Sequence, residues 1–217
     1  MKTFVAFVLL AFLAVTGGSG ISAQSSQASN DSWITLFDGK SLDGWKAGEN
    51  ADTFKVENGQ IVVFGPRSHL YYVGPVENHD FRDFEFKADV MTTQGSNSGI
   101  YFHTEYQEKG WPAKGYEVQV NNSHTDKRRT GGLYAIQDVF EPPARDNEWF
   151  TMHIVVRGKR VTVSVDGKQL VDYTEPENPE RPADMKGRLL SSGTFALQGH
   201  DPKSRVHYRN IMVKPLR

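Results

Sequence analysis

Apolar and polar residues alternate along much of this chain. Within residues 116–121, Tyr116, Val118 and Val120 fall in one row, and Glu117, Gln119 and Asn121 in the other. Successive strand side chains point to opposite faces, so the pattern predicts a strand with one apolar face and one face carrying an acid and two amides. Phe84, Phe86, Ala88 and Val90 alternate with Glu85, Lys87 and Asp89 in the same way. Residues 54–56 and 61–64 read as a hairpin around Asn58-Gly59, a dipeptide suited to tight hairpin turns. Met152, Ile154 and Val156 lead through Arg157-Gly158-Lys159 into Val161, Val163 and Val165. Asp166-Gly167 turns the chain again into Leu170-Val171, and residues 206–213 form a last strand. No stretch holds a helical period over the length of a helix. Many short strands and Gly-rich turns predict an all-β fold, a two-sheet antiparallel jelly-roll sandwich.

The N-terminus departs from this alternation. Lys2 precedes an unbroken apolar run over 4–15, and small residues lead to Ala23. That is the layout of a secretory signal peptide, predicted to occupy 1–23. The run of about 12 residues falls short of the roughly 20 that span a bilayer, so the mature form is expected to be secreted or periplasmic, with no membrane segment. Residues 24–31 read as a flexible Gln/Ser-rich linker, and 32–217 as one domain with a sizeable core. The chain has no cysteine, so neither a lipoprotein attachment site nor a disulfide is expected, and the core alone must hold the domain together. Net charge is −1, and the only basic block, Lys127-Arg128-Arg129, reads as a solvated loop. No nucleic-acid partner is expected. Nothing in the pattern specifies the oligomeric state.

The period of two extends to three neighbouring segments. In 97–103, Ile100 and Phe102 suit the core, so Gly99, Tyr101 and His103 face the other way. In 131–135, read as a further strand, Leu133 and Ala135 suit the core and Tyr134 lies opposite. In 194–200, Phe195 and Leu197 suit the core, leaving Ala196, Gln198 and His200 opposite. In one sheet these rows would make a polar trough of His103, Glu117, Gln119, Asn121, Tyr134, Gln198 and His200. Gly99 and Gly132 fit such a site, because strand glycines often mark close approach of a ligand or backbone. Trp111, in a loop before the central strand, could stack on a sugar ring or fold into its own domain. Trp45 and Trp149 read as core. His153, in a strand whose other face carries Thr151, Thr162 and Ser164, reads as an ordinary surface residue.

These residues also carry a family resemblance. The segments 33–45, Asn97-Ser98-Gly99-Ile100-Tyr101, Gly115-Tyr116-Glu117-Val118-Gln119, Thr130-Gly131-Gly132-Leu133-Tyr134, Glu148-Trp149 with 154–158, Leu197-Gln198-Gly199-His200-Asp201 and Tyr208-Arg209-Asn210-Ile211 occur in that order. Together they resemble the 3-keto-disaccharide hydrolase family. The resemblance implies a concanavalin A-like jelly roll, related in shape to lectins and glucanases, acting on glycosides oxidised at C3. Two positions depart from the family pattern. Relatives commonly carry Arg where this chain has His103, which points that residue toward specificity. The acid Asp201 follows His200, whereas relatives place one before the histidine.

A conventional retaining glycosidase needs two carboxyls about 5 Å apart. Here Glu117 is followed by Gln119 and Asn121, and an amide can act neither as nucleophile nor as acid. One carboxylate suffices for another route. A ketone at C3 acidifies the proton on C2, a single base removes it, and the group at C1 leaves by β-elimination; water then adds back. That route needs a base and donors for the enolate oxygen. Glu117 or His200 is the expected base, with His103, Gln119, Asn121, Tyr134, Gln198 and Trp111 holding a carbohydrate substrate. A divalent metal could polarise the ketone instead, but no close histidine spacing assigns one, and no cofactor is established. The rival from another class is a secreted carbohydrate-binding module without catalysis.

Overall fold

Thirteen strands carry the fold among the residues that the computed structural model describes, Met1 and 32–217; the expected signal peptide and linker lie outside the described residues. In chain order they are β1 (Ile34–Thr35), β2 (Trp45–Ala47), β3 (Phe54–Glu57), β4 (Gln60–Phe64), β5 (Ser68–Tyr72), β6 (Phe84–Thr92) and β7 (Ser98–Thr104). They continue with β8 (Tyr116–Val120), β9 (Phe150–Arg157), β10 (Arg160–Val165), β11 (Lys168–Thr174), β12 (Thr194–Gly199) and β13 (Arg205–Pro215). The larger sheet runs β11-β10-β9-β6-β13-β4-β3, with β1 also on β13; the smaller runs β2-β5-β12-β7-β8. Every neighbouring pair in these two orders is antiparallel, giving the expected two-sheet jelly-roll sandwich. The hairpins form where the turn residues place them. Asn58 and Gly59 both take positive φ (50° and 77°), as do Asp166 and Gly167 (48° and 79°), the geometry that matches the twist of the flanking strands.

The core lies between the sheets. Phe84, Phe86, Ala88 and Val90 of β6, with Met152, Ile154 and Val156 of β9, face Ile100, Val118, Val120 and Leu197 from the smaller sheet. Phe195 is the aromatic centre, with ring centroids 4.6–4.8 Å from Phe81, Phe84 and Phe86. Truncating so enclosed a ring to alanine costs about 3–5 kcal/mol. The larger sheet turns its outer face to solvent, and its strands alternate buried and half-buried residues. His153 is half-buried there and bonds Glu85 at 3.0 Å.

The smaller sheet differs. In β5, β7, β8 and β12 every residue is buried, because loops cover the face turned away from the core. The polar row expected to line a trough therefore forms an interior floor. β5 escaped the alternation argument for the same reason, since a strand buried on both faces shows no period of two.

Three expectations need correction. Residues 131–135 are not a strand. They form a turn docked against the outer edge of β8, where Gln119 N bonds Gly132 O, Gly131 N bonds Gln119 O and Tyr134 N bonds Glu117 O, each at 2.9 Å. Leu133 still points into the core and Tyr134 away from it, but Ala135 takes φ 59° as the chain turns. Trp149 is half-buried at the surface, under the Arg209 guanidinium at 4.0 Å, whereas Trp45 is core. The basic block is only partly solvated. Arg128 pairs with Asp138 at 3.0 Å, and Arg129 donates to Asn121 Oδ1 and to the carbonyls of His124 and Asp126.

Candidate functional site

The floor of β8, β7 and β12 opens into a cleft of about 280 Å³. Glu117 lies at its base and is only 4% exposed. Cross-strand register puts Tyr101 opposite Glu117 and Ala196 opposite Tyr101. Tyr101 Oη donates to Glu117 Oε2 at 2.8 Å, and Gln198 Nε2 donates to Glu117 Oε1 at 3.0 Å. Gly99 makes room for the carboxylate, since a Cβ there would sit 2.6 Å from Glu117 Oε1.

A cation completes the ring around Glu117. Arg188 Nη2 lies 3.3 Å from Glu117 Oε2. Arg188 comes from the loop after β11, which is tied down at several points. Leu190 N donates to Glu175, Arg181 bonds the hydroxyls of Tyr116 and Tyr173, and Gly115 N bonds Gly187 O. Gly187 passes so near Ala113 that a Cβ would stand 1.8 Å from its carbonyl oxygen. Tyr134 lies between two guanidinium groups, Arg128 at 4.6 Å and Arg188 at 5.0 Å.

Burial pushes the Glu117 carboxyl above the usual carboxylate range, although Arg188, Tyr101 and Gln198 each pull it back. Burial likewise raises the Tyr101 hydroxyl well above its ordinary value, so it stays a donor. Three polar atoms of the site are buried without a partner: Gln119 Oε1, Gln198 Oε1 and Arg188 Nη1. An unmet buried polar atom costs about 1–3 kcal/mol, and an incoming ligand that supplies the missing bond recovers it. The site thus presents two acceptors and one cationic donor around a single buried carboxylate.

At the mouth, Trp111 is 46% exposed. Its ring packs 5.6 Å from His69 and 5.5 Å from His200, with Arg67 at 5.2 Å. Burial keeps the His69 imidazole neutral, with its pKa pushed down to about 3. His200 Nδ1 bonds Asp201 Oδ2 at 2.9 Å, and His124 packs edge-on against His200 at 5.5 Å. One ligand atom each from His124, His200 and Asp201 lie within 4.8 Å of one another, the one such group among the described residues. His124 Nδ1, however, faces the backbone N–H of Asp126 at 3.1 Å. Neutral His124 therefore carries its proton on Nε2, the nitrogen 3.9 Å from Asp201, and metal ligation there would require that loop to give.

Of the expected residues, the cleft gathers Glu117, Gln119, Gln198, His200, Tyr134 and Trp111. Two others stand elsewhere. His103 takes φ 55° at a bulge where Phe102 and His103 oppose only Phe195. Such a bulge re-aims a side chain, and His103 packs beside Phe84 and Phe102 instead. Its Nδ1 accepts Ser191 N–H and its Nε2–H donates to Arg82 O at 2.8 Å. Asn121 folds back on its own loop, bonding the carbonyls of Asp126 and Arg128 and accepting His124 N–H. Sequence reasoning missed Arg188 and the part played by Asn97, which accepts Gln119 Nε2–H at 2.7 Å. The signal for Asn97 was its place in the Asn97–Tyr101 motif; nothing local marks Arg188.

Comparison with known proteins bears on this geometry. Residues 32–214 match the profile of the 3-keto-alpha-glucoside-1,2-lyase-like domain. A 3-keto-disaccharide hydrolase of Bacteroides thetaiotaomicron is 25% identical over 66% of this chain. The match takes in 59% of that protein's length, so the chain spans little more than half of this curated relative. A solved structure named as a glycosyl hydrolase, from Parabacteroides distasonis, superposes with TM-score 0.72 at 22% identity, over 85% of this chain and 94% of that one. A Bacillus subtilis protein with a galectin-like fold superposes with TM-score 0.62 at 10% identity, over 85% and 94%. At these identities the two structures establish the lectin-like sandwich fold.

Proposed function

The chain belongs to the 3-keto-alpha-glucoside-1,2-lyase-like family, and from that premise we propose that it cleaves 3-keto-glycosides by β-elimination followed by hydration. The observation that carries this reading is Glu117: one buried carboxylate, ringed by donors, with its pKa raised by burial. A base works best with a pKa near the working pH, and desolvation moves Glu117 in that direction.

The unmet atoms suit the rest of the reaction. Arg188 Nη1 would bond the C3 oxygen, while Gln119 Oε1 and Gln198 Oε1 would accept sugar hydroxyls. Glu117 takes the C2 proton, and the electrons of the C2–H bond flow onto the C3 oxygen beside Arg188. Donors fixed before reaction stabilise that charge most effectively. The enolate then expels the group at C1, leaving a C1–C2 double bond conjugated to the ketone. Water adds at C1 and Glu117 returns the proton to C2, so the net change is hydrolysis. Trp111 offers an apolar face for the sugar ring at the mouth.

The test is incubation with a 3-keto-glucoside beside its unoxidised parent. Cleavage of the first alone supports the proposal. Binding of both with cleavage of neither would mean a non-catalytic sugar-binding module. The apolar run over 4–15 and the small residues up to Ala23 support export to the periplasm or medium. Mass spectrometry of exported protein should then find Gln24 at the mature N-terminus.

A further inference from the structure

We infer that His200, oriented by Asp201, is the acid that protonates the departing glycosidic oxygen; this rests on the elimination reading above. The geometry comes from β12 and the turn after it. Gln198 contacts Glu117, and His200 follows two residues later, roughly 6–7 Å along an extended chain. Gly199 between them turns its backbone toward Thr53 and Val63 on the core side. His200 accordingly lies on the cleft side, and both it and Glu117 line the same cavity. C2 and the glycosidic oxygen are both bonded to C1, so one sugar presents its acidic proton and its leaving group to the two residues at once.

Asp201 is held in place from several directions. Its Oδ1 accepts the N–H of Lys203 at 2.9 Å and of Ser204 at 3.2 Å, and its Oδ2 accepts Ser204 Oγ–H at 2.7 Å. Burial alone would raise its pKa, but bonds from Ser204, His200 and Lys203 outweigh this and hold it at about 2. The carboxylate held in this way accepts the His200 Nδ1–H at 2.9 Å. Nε2 then becomes the nitrogen that carries a proton toward substrate, the logic of any imidazole oriented by a carboxylate. The other titratable groups nearby are His124, edge-on to His200, and, behind Trp111, His69 and Arg67. In the forward step the N–H bond of the imidazolium breaks as the new O–H bond forms on the alcohol. In hydration the neutral imidazole takes a proton from water, which restores the imidazolium.

The role predicts a dependence on leaving group that a structural residue would not show. Two 3-keto-glucosides serve, one with 4-nitrophenol and one with methanol at C1. Nitrophenolate leaves without a proton, whereas methoxide does not. His200→Gln should slow single-turnover release of methanol at least ~100-fold and that of 4-nitrophenolate no more than ~5-fold. Asp201→Asn should slow the methyl substrate ~10-fold and leave the nitrophenyl substrate within ~2-fold of wild type. Exchange of the C2 proton in D2O should persist in both variants and vanish in Glu117→Gln. Equal losses on both substrates, or none, would overturn the assignment to His200 while leaving the elimination intact. Wild-type protein inert toward both, with no C2 exchange, would overturn the elimination itself. Loss of both activities on chelation, restored by Mn2+, would make the His124–His200–Asp201 group a metal site and end the proposal.

Discussion

Glu117→Gln is the substitution that tests the site most directly, because it exchanges one oxygen for an NH2 and leaves the shape unchanged. The amide cannot take the C2 proton. General-base catalysis is worth about 10²- to 10⁴-fold, or about 2.7–5.5 kcal/mol of barrier, so turnover should fall by at least that range's lower bound. Stability should change much less, because two effects oppose. Arg188 loses its partner 3.3 Å away. Breaking a fully buried pair costs about 3–5 kcal/mol, but the Arg188 side chain is 13% exposed, and water reaching it should limit the loss to about 1–2 kcal/mol. Against this, the burial that raises the Glu117 pKa disfavours the charged form, and a neutral amide escapes that penalty. A domain of this size shifts about 2–4 °C per kcal/mol, so the melting temperature should drop by no more than about 8 °C. The assay pairs steady-state cleavage of a 3-keto-glucoside with a thermal melt. Turnover within about tenfold of wild type would refute Glu117 as the base. A melting temperature lower by more than about 15 °C would show that the carboxylate chiefly holds the fold.

Arg188→Gln removes the cation that pulls the Glu117 pKa down, so that pKa should rise further. The base form is the carboxylate; the acid limb of kcat/KM should therefore move to higher pH, with kcat falling about 10²- to 10³-fold, and an unmoved limb would contradict the pairing. Trp111→Ala should raise KM about 5- to 10-fold with little change in kcat, the scale of one lost aromatic contact; an equal fall in kcat would argue against a pure binding role. His103→Ala should instead leave the Ser191 N–H and Arg82 carbonyl unbonded, costing about 2–4 kcal/mol; calorimetry should record the loss while KM stays within about threefold of wild type.

Much of the fold was legible because strand periodicity is local. The rows of Phe84 to Val90 and Met152 to Val165 pair one buried and one wet face, and Asn58-Gly59 and Asp166-Gly167 are turn residues whose backbone conformations few others adopt readily. The floor of the site was legible by the same rule, since Glu117, Gln119 and Gln198 do share a face. What failed depended on contacts remote in sequence. Whether His103 faces the cleft is set by a bulge against Phe195, some ninety residues later, and no local pattern records it. Asn121 looked like a ligand group because a short amide suits a sugar and a loop equally; its loop claimed it. Arg188 follows Lys186-Gly187 in a stretch without period, and reaches Glu117 only because Glu175 and Arg181 fasten that loop to Tyr116 and Leu190.

The turn at 131–134 also bears on solubility and on engineering. β8 is the last strand of its sheet, and an open strand edge is a template for another chain. Here the N–H and carbonyl of Gln119, the carbonyl of Glu117 and the carbonyl of Asn121 are already taken by residues 130–134. The segment that brings Tyr134 to the cleft therefore also covers the edge of the sheet, which guards it against self-association. A protein engineer seeking room for a bulkier ligand should trim the cleft elsewhere in its lining, at Trp111 or Met185. Shortening the 131–134 turn would instead expose the strand that bears Glu117 and invite aggregation before any gain in substrate range could be measured.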